Sequence, residues 1–360
     1  MVICFNYSEV GDGMKVKKLS LVLAAGVTVF SLAACGKPVK ETVISSTESL
    51  YNAKQMESTS TVKFTLSSTS KDFNKTYKDN INMLKGLSLN VHTLSDKDAK
   101  KEQADIKAKM KMNGASVAFE LPLYMDTKNQ KVYSKLDNLG SLLSMAGMEA
   151  STLDPVKGKV VDLTSGASES TELASVTDNE KLQKVSNKVF LDMLNKLPEE
   201  QYSKNKDDKN KVAVKIKQKD FNSFISSYLD EVVKIKDSGV TKDQAKQIKD
   251  SIKAMNMKDS EIVIEYTLKD GVVTNQNAAI AFTIKNPDNG KESVTLGITV
   301  DTKVKSLNKK VNFDFKVQKD KVVTMEEVMG LFTQVTSSNI EDVNNAELTT
   351  EDDASLKTTP

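Results

Sequence analysis

Ala104-Asp105-Ile106-Lys107-Ala108-Lys109-Met110-Lys111-Met112 is the stretch that decides the fold. Every even position is apolar and every position between is charged. That two-residue period belongs to a strand with one dry face and one solvated face. Asn113-Gly114 follows, a strong signal for a type I′ hairpin. Ala115, Val117, Phe119 and Leu121 then carry the alternation back along a return strand.

The last third of the chain repeats the pattern. Ile262, Ile264, Tyr266 and Leu268 alternate up to an Asp270-Gly271 turn. Ile280, Phe282 and Ile284 alternate up to Pro287-Asp288-Asn289-Gly290. Val294, Leu296, Ile298, Val300 and Val304 follow, and Val311, Phe313, Phe315 and Val317 finish. The pattern predicts a four-strand antiparallel meander. Shorter strand signals lie at Val62–Leu66, Leu87–Leu94, Val132–Leu136 and Val212–Ile216, for about ten strands in all.

Helices are predicted between them. Lys40–Gln55 opens the domain. Leu182, Val185, Val189, Phe190, Met193 and Leu197 form one apolar stripe closed by Pro198, and Phe221, Phe224, Ile225, Tyr228, Leu229 and Val232 form a second. Thr241-Lys242-Asp243-Gln244 reads as a capping box for a third, carrying Ala245, Ile248, Ile252 and Met255. Met325–Phe332 makes a last short one. Gly147–Glu172 and Gln201–Asn210 read as loops. Residues 337–360 carry six acids against Lys357 alone and read as a disordered acidic tail.

Long strands with one apolar face need a cover. The expected fold is therefore α+β: a large curved antiparallel sheet, half-barrel-like, with helices on its concave face. One continuous sheet is favoured over two, since neither strand-rich half carries enough helical cover alone. The scarcity of Gly-rich strand-to-helix turns argues against a doubly wound parallel sheet. Gly297 either lets its long strand bend or is a packing glycine.

Composition narrows the function. The 360 residues hold 51 basic and 49 acidic side chains, and every basic one is lysine. A net charge of +2 gives no electrostatic reason to expect nucleic acid. Without arginine there is no planar fork for bidentate reading of phosphate or guanine. The single histidine rules out a multi-histidine zinc site and leaves little for Ser-His chemistry.

The two cysteines, Cys4 and Cys35, both precede the strands. Lys15, Lys17 and Lys18 lead into Leu19–Ala34, an uncharged run shorter than the ~20 residues that span a bilayer and suited to a signal-peptide core. It closes with Leu32-Ala33-Ala34-Cys35-Gly36, which resembles the bacterial lipobox. The resemblance implies a diacylglycerol, with palmitate among its acyl chains, on the Cys35 thiol, with cleavage before it. Residues 1–34 would be the signal peptide, with translation starting at Met14. Residues 35–336 would be a single domain, lipid-anchored on the extracytoplasmic face of the cell membrane of a Gram-positive bacterium. Two or more acyl chains give a stable anchor where one does not.

An N-terminal lipobox, a helix, long antiparallel strands, a helical middle and a closing meander resemble the LolA/LppX-like lipoprotein superfamily. That resemblance implies a half-barrel with an apolar cavity for acyl chains, no catalytic residues, no metal and no cofactor. Tyr124–Tyr133 resembles a hairpin of such lipoproteins. The cavity face is expected to include Ile106, Met110, Met112, Ile264, Phe282, Ile298 and Phe313.

Other chemistry is thin. His92 falls opposite Leu89 and Val91 in strand parity and reads as a solvated surface side chain. Ser68-Thr69-Ser70-Lys71 and Ser306-Leu307-Asn308-Lys309 both match Ser-x-x-Lys, but no Lys-Thr-Gly or Ser-Asp-Asn accompanies them. Lys107, Lys109 and Lys111 form a solvated strand face that also suits anionic headgroups. The expected function is non-catalytic binding of a lipid or other apolar molecule. The alternatives are an interaction lipoprotein with a solid core facing an envelope protein, and a transporter solute-binding lipoprotein.

Overall fold

The computed structural model describes residues 38–332, except 113–114, 146–147, 166–175, 237, 255–259 and 286–290. Helix α1 (Val39–Tyr51) leads into β1 (Gln55–Ser68). Helices α2 (Lys71–Thr76) and α3 (Lys78–Gly86) then fold back before β2 (Ser88–Asp96), β3 (Lys101–Met112), β4 (Ala115–Asp126) and β5 (Lys131–Ser134). Next come α4 (Gly140–Met145), a 3₁₀ turn (Ala150–Val156), β6 (Val160–Asp162), α5 (Val176–Lys196), β7 (Tyr202–Lys204) and β8 (Lys211–Lys217). The chain continues through α6 (Gln218–Val232), α7 (Lys242–Ala254), β9 (Glu261–Lys269), β10 (Val272–Lys285), β11 (Ser293–Leu307), β12 (Val322–Thr324) and α8 (325–332).

These strands form one open sheet in the order β12-β6-β5-β4-β3-β2-β1-β11-β10-β9-β8-β7. Every pairing is antiparallel except β12 with β6. The two strand-rich parts of the sequence join where β1 pairs with β11, from Met56↔Leu307 to Ser68↔Val294. The architecture is the α+β class expected: a large curved antiparallel sheet with helices on one face.

Local chemistry explains several boundaries. The Thr241–Gln244 capping box is made as read: the Thr241 N–H donates to Gln244 Oε1 at 2.9 Å and the Gln244 N–H to Thr241 Oγ1 at 3.2 Å. Asp270 and Gly271 both take positive φ, 53° and 77°, which a two-residue type I′ turn requires. Gly297 pairs regularly with Thr65, and a Cβ there would clash with Thr65 Oγ1. It is a packing glycine.

Three helical covers sit on the apolar face. Helices α1 and α5 bury Val43, Leu50 and Leu194 against Val212, Val214, Ile216, Ile264 and Tyr266. Complete burial of side chains such as Leu194 and Val214 stabilises by about 1.5–3 kcal/mol each. Helices α2 and α3 pack Phe73, Ile81 and Leu84 on Phe64, Leu66 and Val294. At the far edge, α4, the 3₁₀ turn and α8 pack around Val161 and Val328. The segment read as loop from 147 to 172 thus contains the 3₁₀ turn and β6, and that from 201 to 210 contains β7.

One strand expectation fails. Residues 310–318 form no strand. They cross the polar face of the sheet as an extended strap, from the end of β11 to β12. Phe315 stacks on Tyr124 at 5.5 Å, and Phe313 meets the same ring edge-on at 6.0 Å. Val160, Tyr133, Val317 and Val322 complete this small cluster. A strap lying across a sheet alternates between buried and exposed just as a strand does, and sequence period alone does not separate the two.

Candidate functional site

The pairing register places one apolar rung across nine strands: Tyr202, Val214, Ile264, Ala278, Val300, Val62, Leu89, Ala108 and Phe119 are successive cross-strand neighbours. The next rung towards the β2–β3 turn runs from Val212 and Tyr266 through Gln276, Thr302 and Ser60 to Val91, Ile106 and Leu121. One end of these rungs is sealed. Val214 and Tyr266 are 0% exposed beneath α1 and α5. Beyond it, Val62, Leu89, Val91, Ile106, Phe119, Ile280, Ile298 and Val300 are only half-buried, although Ala108 among them is 1% exposed. A strip of apolar sheet therefore lies between the α1–α5 cover and the α4–α8 cover, and α2 and α3 cover the end of it nearest Leu66.

Of the expected cavity residues, Ile106, Met110, Phe282 and Ile298 lie on this face and are half-buried. Phe282 also touches the Phe221 ring of α6 at 5.6 Å, so it anchors a cover. Ile264 is on the same face but belongs to the sealed core, at 6% exposure. Phe313 is corrected: it rides on the strap, against Tyr124 on the opposite face. The Met112 side chain lies outside the described residues, as do the Met14 start, the lipobox residues Leu32, Ala33, Ala34 and Cys35, Met255 and the acidic tail.

Polar groups also lie on the apolar face and beneath its covers. Ser60 and Thr302 share a hydrogen bond at 2.9 Å. The Thr47 hydroxyl donates to the Val43 carbonyl at 2.9 Å, so the Tyr266 hydroxyl, 2.7 Å away, donates to Thr47. Burial pushes the Tyr266 phenol up to about 12. At the foot of the strip Glu102 pairs with Ser95 and Met125 across the strands, in step with Ala104 and Ile106. Burial pushes its carboxyl above the usual carboxylate range, and the Lys97 ammonium works against that rise. Glu102 was legible as the one charge at an even position beside the 104–112 run.

On the polar face, ion pairs run across four strands. The Lys305 ammonium lies 3.2 Å from Glu57, Glu57 lies 3.1 Å from His92 Nε2, and His92 Nδ1 lies 3.5 Å from Asp105. His92 and then Lys305 hold the Glu57 carboxyl below its usual range. Gln103, 1% exposed, continues the line. Its Nε2 donates to the Asp105 and Asp314 carboxylates, and its Oε1 accepts from the Asp314 and Phe315 N–H groups at 3.2 and 3.1 Å. The line fastens the strap.

The first Ser-x-x-Lys match serves the fold. The Ser68 hydroxyl donates to the Ser293 carbonyl at 2.8 Å and accepts from the Ser70 N–H at 3.0 Å, a structural role at the end of β1. Ser70 caps α2. Among the described residues no three His, Cys, Asp or Glu side chains converge as metal ligands. None of the described helices is long and apolar enough to cross a membrane. No family model, no curated protein and no solved structure matches this chain.

Proposed function

We propose that this chain is a membrane-anchored, extracytoplasmic, non-catalytic lipoprotein that holds a lipid acyl chain or similar apolar molecule on the open strip of its sheet. The observation that carries the reading is the half-buried row Val62, Leu89, Val91, Ile106 and Phe119, flanked by helical covers on both sides. An apolar molecule laid along that row would gain about 0.8 kcal/mol per buried methylene, before the cost of immobilising it. The lipobox resemblance at Leu32–Cys35 supports the anchor, and the resemblance to the LolA/LppX-like superfamily is consistent with the architecture.

The test is organic extraction of the purified full chain followed by mass spectrometry. The expected result is a bound lipid, greatly reduced in Ile106→Asp, whose cooperative melting transition is checked alongside because the charge also costs stability at a half-buried position. An empty protein, or a ligand retained undiminished by the variant, would overturn the proposal. Cys35→Ser is expected to abolish palmitate labelling and to release the protein from membranes.

A further inference from the structure

The end of the sheet where β1 finishes and β2 begins carries an exposed apolar and basic rim. Tyr77, at the junction of α2 and α3, is 45% exposed, and so is Ile284 near the end of β10. The two belong to one run of contacts. The Tyr77 ring lies 4.7 Å from that of Phe73, and Phe73 and Val294 pack on the same small core. Val294 in turn pairs with Ile284 across the strands.

Lysines surround this patch. The α2–α3 segment carries exposed Lys71, Lys75, Lys78 and Lys85 against Asp72 and Asp79, a surplus of two positive charges. The β3 strand ends at the same rim, with Gly86 packed against the Lys111 backbone. Its Lys107 is paired with Glu120 at 3.2 Å, whereas the ammonium groups of Lys109 and Lys111 are exposed. The N-terminal tether enters from the same half of the sheet. Lys40, in the first turn of α1, donates to the Leu197 carbonyl at 2.7 Å, and Gln201, just beyond, donates to the Lys215 carbonyl near the matching end of β8. Three residues lie between Cys35 and Val39, so the four Cα steps reach about 14 Å at most.

We infer that this rim rests on the bilayer, with Tyr77 and Ile284 at the headgroup boundary and the lysines on anionic lipids. Aromatic rings settle at that depth, and basic groups beside them add attraction to anionic headgroups. Helices α2 and α3, which cover the rim end of the strip, would then lie between it and the membrane. This placement rests on the reading of the chain as an anchored carrier.

The chain contains no tryptophan, so a single introduced one reports only its own surroundings. Tyr77→Trp, Ile284→Trp and Lys128→Trp, the last in the exposed turn at the opposite end of the sheet, are prepared in the full chain. Each is recovered from membranes and reconstituted into vesicles of phosphatidylcholine and phosphatidylglycerol with plain or brominated acyl chains. Emission at 77 and 284 should shift to the blue and be lost to bromine, while emission at 128 stays unchanged. Replacing phosphatidylglycerol by phosphatidylcholine, or Lys109 and Lys111 by glutamine, should weaken the quenching.

Equal quenching at 77 and 128, or none anywhere, would overturn the inference. Extraction of the same preparations separates it from the carrier reading. Bound lipid without quenching sinks the rim alone, and quenching without bound lipid sinks the carrier alone.

Discussion

Gln103→Leu puts the strap to a quantitative test. In the wild-type protein one buried amide satisfies two strap N–H groups and bridges two carboxylates. Leucine fills most of the volume and satisfies none of them. The Phe315 N–H, beneath a side chain 8% exposed, loses its acceptor at a cost of about 1–3 kcal/mol. The Asp314 N–H belongs to an exposed residue and can turn to water, so it adds little. The Asp105 carboxylate loses a charge-assisted donor, and its partial exposure reduces that cost to about 1 kcal/mol. The expected loss is about 2–4 kcal/mol, read by denaturant unfolding, with faster hydrogen exchange at the Phe315 amide.

Gln103→Glu sharpens the test because it retains an acceptor for both N–H groups. It loses the donor and adds a third carboxylate beside Asp105 and Asp314. Burial and like charge must raise the folded-state pKa of the new carboxyl above its unfolded value. Between those two values the folded form holds a proton that the unfolded form has lost. The deficit of this variant therefore grows as pH rises towards neutrality and shrinks as pH falls through the raised pKa. A loss under about 0.5 kcal/mol for the leucine variant, the range of an ordinary surface change, would refute the reasoning. So would a glutamate deficit that is the same in acid and at neutral pH.

The hydrogen bond under α1 should be asymmetric. Tyr266→Phe leaves Thr47 bonded to Val43 and should cost about 1 kcal/mol in unfolding experiments, whereas Thr47→Val removes the acceptor of the buried Tyr266 O–H, leaving that oxygen only the long bond it accepts from Gln276 Nε2 at 3.4 Å, and should cost up to about 3 kcal/mol. Burial pushes the Asp162 carboxyl up, but the Lys131 ammonium at 2.7 Å and the Thr164 hydroxyl and N–H together hold it below the usual range. Its contribution is present above the unfolded carboxylate pKa and is lost as pH falls through the depressed folded value, so Asp162→Asn should flatten the melting temperature across that acid window. Gly297→Ala should destabilise through Thr65 Oγ1, and Thr65→Ala should restore most of the loss in a double-mutant cycle; additive losses would contradict the contact.

Regular alternation made β3, β4, β9, β10 and β11 legible, because one face of each meets apolar cover while the other meets water. Strand β1, which joins the two halves, was legible only from Val62 to Leu66. Its inward positions include Ser58 and Ser60, where the strip is polar enough to erase the period, although the strand runs from Gln55 to Ser68. Helices α2 and α3 escaped notice for a similar reason. Lys, Asn and Asp fill their outer faces, and little beyond Phe73, Ile81 and Leu84 points inward. The strap misled in the opposite direction, since Phe313 and Phe315 alternate over Tyr124 without making a ladder. The open strip itself was not legible. Half-buried and fully buried apolar residues look alike in a sequence, and only the placement of the covers separates Ile106 from Ile264.

The sheet treats its edges and its middle differently, and the contrast bears on the proposed function. An open sheet risks pairing with other chains along its edges. Here both edge strands, β7 and β12, have three residues each. The neighbouring β6 is equally short, and the exposed Ser203 and Lys204 mark the other edge. Aggregation along the edges is thus blunted by shortness and charge. The apolar strip between Val62 and Phe119 has no comparable protection, since no charged side chain interrupts its central rungs. A chain guarded at its edges yet apolar across its middle is under a constraint that stability alone does not supply. Filling the strip with larger side chains, or adding one more helical turn of cover, would stabilise the fold by ordinary burial. On the proposed reading, receiving and releasing an apolar molecule would supply that constraint.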